Sequence, residues 1–174
     1  MTEPVDPPLF LDELVSAGSE REVLETFLDL HRGIVRRKVT GLSEQDAQRR
    51  LVPSLTTLAG LVKHLAAVER GWFQLALAQR TVEQIGANPY SGDASWQVEP
   101  GETVAELVAD YDRACAASRE VAAGLELDDT VPDARMGRVS LRWIYVHMIE
   151  ETARHAGQAD ILREQTDGAT GADG

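Results

Sequence analysis

Glu151 and His155 stand four residues apart, which on a helix stacks a carboxylate and an imidazole one turn from each other. Both fall on or beside a stripe formed by Met148, Thr152, Ala159 and Leu162, so both point toward a core. A carboxylate stripped of water needs a partner, a ligand or a proton, because its desolvation is strongly unfavourable. Far upstream, His64 flanks another apolar stripe between Leu61 and Val68, and Gly60 and Gly71 leave side-chain-poor room on its side of the helix. If the two stretches face each other, His64, Glu151 and His155 supply two nitrogens and one oxygen. That set holds a divalent metal and keeps positions open for water or substrate. The plainer alternatives are a surface salt bridge between Glu151 and His155 and a His64 satisfied by a carbonyl or carboxylate; the inward stripe tilts the balance toward metal.

His147 lies one turn before Glu151, where it could be a fourth ligand, orient Glu151, or simply pack; orientation or packing is the expectation. His31 sits on another inward stripe and reads as a hydrogen-bonded core histidine. Trp72, Trp143, Tyr90 and Trp96 could wall a pocket, although aromatics on helix stripes more often build core. Arg70, Arg142 and Arg154 read as solvated partners of the many acids.

Four long helical stretches carry these residues. Ser19 and Glu22 form a capping box for a helix reaching about Lys38. Ser43 caps a short connector helix. A second long helix is predicted from Thr57 to Gln79, with Leu58, Leu61, Val62, Leu65, Val68, Trp72, Leu75 and Ala76 on its apolar stripe. Thr103 and Glu106 open a third, with Cys115 on its core face, and Ser140 caps a fourth reaching about Gln165. The glycines and prolines of ANPYSGDASWQVEPG predict an irregular flap over one bundle end, with residues Ala87 to Gly101 gating substrate. No alternating run predicts a sheet. The fold class is therefore all-α: one four-helix bundle domain over 1–165, with an extra short connector helix and long loops, followed by a compositionally flexible tail at 166–174.

Composition narrows the chemistry. The 174 residues carry 17 Lys+Arg against 29 Asp+Glu, a net charge of −12, which argues against nucleic acid and anionic membranes as partners. No apolar run is long enough to span a bilayer and no secretory leader is evident, so a soluble, cytoplasmic protein is expected. A single cysteine excludes an internal disulfide and an all-thiolate metal site, so nitrogen and oxygen must do the ligating.

The strings LVKHLAAVERGWF and VHMIEETARHAGQADILREQTDGATG resemble the DinB-like superfamily, in particular its actinobacterial mini-circle branch. The resemblance runs from the first long helix to the tail. It implies a four-helix, metal-dependent bundle, often a homodimer, with the metal on one histidine of the second helix and two ligands four apart on the last. Those positions fall on His64, Glu151 and His155. Many relatives carry histidine where Glu151 stands, whereas the mycothiol-dependent maleylpyruvate isomerase uses glutamate there. Gln158 occupies a position where close mini-circle relatives often have histidine, which argues against a further ligand there.

Members of that superfamily act as S-transferases or isomerases of low-molecular-weight thiols. The resemblance thus implies a metal-dependent transferase joining a small-molecule thiol, with mycothiol first, to an electrophile through a metal-bound thiolate on zinc or nickel. A hydrolase using metal-activated water and a non-catalytic stress-response module stabilised by metal are the alternatives, with Fe(II) oxygen chemistry ranked last.

Overall fold

The computed structural model describes residues 10–89 and 91–171. The chain runs as α1 (Leu11–Leu14), α2 (Glu20–Val39), α3 (Glu44–Ala47), α4 (Leu58–Glu69), a π-helical segment (Arg70–Leu77), α5 (Val82–Ile85), a 3₁₀ turn (Gly92–Trp96), α6 (Val104–Ala123), β1 (Thr130–Asp133), β2 (Gly137–Ser140) and α7 (Leu141–Asp167). The long helices form the bundle, with α2 packed along α7 and α4 along α6. Among the described residues, no helix is long and apolar enough to cross a membrane.

The helix starts follow the caps in the sequence. Ser19, Ser43, Thr57, Thr103 and Ser140 each accept a hydrogen bond from a backbone N–H of the first turn, satisfying a donor the helix leaves free. Glu22 and Glu106 close the boxes on α2 and α6.

Three expectations are corrected. The second long helix is not α-helical to Gln79: beyond Glu69 it widens to i→i+5 bonding, seen where Ala78 N–H donates to Phe73 O at 2.9 Å. The extra residue per turn rotates the buried face. Phe73, Gln74 and Leu77 turn inward, and Trp72, Leu75 and Ala76, expected inside, are only half-buried. The flap is not wholly irregular, because Gly92–Trp96 closes a 3₁₀ turn and Ser95 donates to Gly92 O at 2.7 Å. Finally, residues 130–140, expected as loop, form an antiparallel hairpin. Pro132 interrupts any alternation the sequence could display, while Asp133 accepts from the N–H groups of Arg135 and Met136 and Gly137 takes φ +78° to turn the chain.

The core has two apolar clusters, one around Val35, Leu61, Leu65 and Ala159, the other around Leu28, Phe73, Ile144 and Met148. The long helices also bury polar residues: Arg32 and Lys38 on α2, Glu69 on α4, Ser118 on α6, and Thr152 and His155 on α7. Arg32 and Glu69 meet in a two-pronged pair, Nε and Nη2 donating at 2.7 and 2.6 Å. Burial alone would lower the guanidinium's pKa, but the adjacent Glu69 charge and hydrogen bonds raise it, so the guanidinium stays charged. Cys115 lies in this core as expected.

Candidate metal centre

α4 presents His64 and α7 presents Glu151 and His155 to the same point. One ligating atom from each lies within 4.8 Å of the others, and no other group of three or more His, Cys, Asp or Glu does so among the described residues. His64 Nε2 is 3.4 Å and His155 Nε2 3.1 Å from the same oxygen, Glu151 Oε1. The side chains of His155, His64 and Glu151 are 8%, 18% and 20% exposed, so the cluster is sheltered but reachable. Hydrogen bonding to His155 and then His64 holds the Glu151 carboxyl far below the usual carboxylate range despite the opposing effect of burial. A carboxylate facing two imidazole nitrogens can be met by ring N–H donors or by a cation. Two nitrogens and one oxygen, all neutral or anionic donors, fit a borderline divalent cation such as zinc or nickel.

The outer nitrogens are held as well. Gln158 Oε1 accepts from His155 Nδ1 at 2.8 Å, and Ser95 Oγ lies 3.1 Å from His64 Nδ1. Gln158 therefore belongs beside the ligand set. Ser95 was missed by sequence reasoning, because a serine in a Gly- and Pro-rich stretch carries no periodicity that could link it to a histidine 31 residues earlier. Trp96, its neighbour, stacks on His64 with centroids 3.9 Å apart and an interplanar angle of 14°, and meets the His155 ring edge at 5.3 Å. The room that Gly60 leaves is occupied: a Cβ there would lie 2.5 Å from the Trp96 carbonyl oxygen.

His147 stays outside the cluster. It stacks on Trp143 at 5.1 Å and packs against Trp72 at 4.7 Å, and burial lowers its pKa. Trp143 is 40% exposed and lines no wall of the cavity next to the cluster. That cavity, of about 470 Å³, is bounded by His64, Gly71 and Trp72 on one side and by Pro89, Asp93 and Trp96 on the other. Tyr90 lies outside the described residues. Arg142 and Arg154 pair with Glu20 and Glu150 at the surface, as expected, whereas Arg70 pairs with Asp110 but, its side chain only 14% exposed, is not the solvated group expected. A smaller cavity of about 200 Å³ is lined by Asp29, Arg32, Arg119 and Tyr145, all of which already bond to protein neighbours.

A helical bundle whose facing helices bring two imidazoles and a carboxylate to one sheltered point defines a DinB-like protein. Within that class, a family model described as mycothiol-S-transferase matches residues 23–168, and the chain belongs to that family. No curated protein matches it.

Proposed function

We propose that the protein is a metal-dependent mycothiol S-transferase, with His64, Glu151 and His155 holding zinc or nickel. The convergence of their ligating atoms within 4.8 Å, in a chain of this family, carries the reading. A divalent cation held there would lower the pKa of an incoming thiol so that it reacts as thiolate near neutral pH. Gln158 and Ser95 orient the two rings, and Trp96 shields them from water. The sulfur must come from outside. Cys115 is 3% exposed, and burial, then the Glu69 charge, push its thiol far above the ordinary range.

The electrophile occupies the cavity between Trp72 and Trp96. Among its described lining residues Asp93 is the sole formal charge and no lysine or arginine takes part, which favours an uncharged electrophile over a carboxylate. The net reaction forms a carbon–sulfur bond, breaks the bond to the leaving group, which departs with its electron pair, and releases the thiol proton to solvent. Segment 87–101, which supplies Ser95 and Trp96, governs access in this reading. The cytoplasm, where low-molecular-weight thiols are kept reduced, suits such an enzyme. The homodimer also belongs to it: Trp143, Val146 and Ile161 lie exposed on one outer stripe of α7, and sedimentation equilibrium tests the association.

Alkylation of mycothiol by monobromobimane, followed with metal-loaded protein, is the direct test. Turnover should require mycothiol and fall to the uncatalysed rate in His155→Ala; equal rates in that variant reject the reading.

A further inference from the structure

We infer that Ser95 is a positioning residue that commits His64 to offering Nε2 at the centre, so that the 3₁₀ turn Gly92–Trp96 sets how tightly the site holds its cation. The inference rests on the proposed metal reading for its consequence, but not for its geometry.

A neutral imidazole has one N–H and one lone pair, and a ligating nitrogen must carry the lone pair. The hydroxyl of Ser95 has one proton, and the structure spends it on Gly92 O at 2.7 Å. Only lone pairs remain on Oγ for His64 Nδ1, 3.1 Å away, so Nδ1 must be the donor in that contact. With a cation at the centre, the lone pair is thereby left on Nε2, the nitrogen on the Glu151 side, 3.4 Å from its Oε1. Gln158 achieves the same on the other ring, because its carbonyl oxygen can only accept from His155 Nδ1. The two arrangements differ in origin. Gln158 sits three residues from its histidine on the same helix, so its contact is local, whereas Ser95 arrives from another segment and depends on that segment being docked.

Two further contacts dock it. The Trp96 ring lies flat on the His64 ring, and the Trp96 carbonyl fits over Gly60, one turn before His64 on α4. Ser95, Trp96 and Gly60 thus form one clasp on one face of α4. Ser95 itself is 7% exposed, on the wall of the cavity between Trp72 and Trp96.

The test compares Ser95→Ala with wild type and with Ser95→Thr, which restores an oxygen. Affinity for Zn2+ is read by competition with a chromogenic chelator, and the ligating ring nitrogen by ¹⁵N-detected histidine NMR on the Zn2+-loaded protein. Outer partners of ligating histidines typically contribute about 10–100-fold in metal affinity. Ser95→Ala should therefore weaken Zn2+ binding by about that factor, and its His64 should show a mixture of tautomers while His155 keeps the Nδ1–H form; Ser95→Thr should recover both readouts at least in part. Equal circular-dichroism melting of the metal-free forms keeps a folding defect apart from a positioning effect. Zn2+ affinity within twofold of wild type in Ser95→Ala, or an Nε2–H form of His64 in the wild type, overturns the inference. Failure of the wild type to bind any divalent ion defeats the metal reading; the positioning role is then read from the His64 Nδ1–H signal, which should be present in the wild type and lost in Ser95→Ala, and its absence from the wild type overturns that role too.

Discussion

Gly60→Ala gives opposite outcomes depending on whether the 3₁₀ turn docks where the structure puts it. On an unobstructed helix, replacing glycine by alanine stabilises by about 0.5–1 kcal/mol, through the lower backbone freedom of the unfolded chain and better helix propensity. At position 60 the new Cβ would lie 2.5 Å from the Trp96 carbonyl oxygen and 3.0 Å from Thr57 Oγ1, when ordinary contact begins at 3.4 Å. The first neighbour is backbone, so the turn must move away by about 0.9 Å. Overpacking of this kind costs about 1–3 kcal/mol. The displacement also stretches the 3.1 Å contact between Ser95 and His64, worth about 1 kcal/mol. Set against the propensity gain, the net loss is about 1–3 kcal/mol, and at about 2–4 °C per kcal/mol for a chain of this size the melting midpoint should fall by roughly 2–12 °C. Gly157, on the exposed face of α7, has nothing within 4 Å of its would-be Cβ, so Gly157→Ala should raise the midpoint by about 1–4 °C and serves as the internal control. Thermal melts followed by circular dichroism in excess chelator compare the two. If both variants melt higher than wild type, the turn does not rest on Gly60 and the clasp over His64 is wrong.

Glu69→Gln removes one partner of a pair whose arginine is 6% exposed and should cost about 3–5 kcal/mol in urea unfolding, while Arg32→Met with Glu69→Leu should recover most of that; a loss below 1 kcal/mol for Glu69→Gln would contradict the burial of the pair. Loading with zinc at about 100 times its dissociation constant should stabilise the fold by about 2.7 kcal/mol, raising the midpoint by roughly 5–11 °C, and His155→Ala should abolish the shift; a chelator that leaves the wild-type midpoint unchanged counts against the centre. Burial lowers the pKa of His31, whose Nδ1 finds no hydrogen-bond partner among the described residues, so the unfolded chain takes up its proton first. The stability associated with it is complete above the ordinary histidine pKa of about 6.5 and is lost as pH falls from there toward the lowered folded value. His31→Leu should flatten that part of the stability profile, and an unchanged slope in urea titrations between about pH 7 and 5 would refute the assignment.

Much of the architecture follows from local rules that act within a few residues. The serine and threonine caps fixed five helix starts, because a side-chain oxygen satisfies first-turn amides wherever the chain goes next. The apolar stripes of α6 and α7 read correctly, since an unbroken 3.6-residue period leaves one face for the core. The stripe past Glu69 did not, because the π-helical widening has no signature in the residue types, and the hairpin was hidden by Pro132 in a strand of four residues. The Glu151/His155 pair was legible for the same reason as the caps: both side chains belong to one helix, and four residues of separation fix their neighbourhood.

The amino-acid sequence by itself thus determined the helices, their buried faces and the carboxylate–imidazole pair one turn apart on α7. Tertiary packing alone decided that His64 meets that pair, that Trp96 covers it and that Ser95 sets which of its nitrogens faces inward. The physical reason is range: helical periodicity and capping act over three or four residues, whereas contacts across 31 or 87 residues depend on how two helices and a turn dock, and no local pattern encodes that.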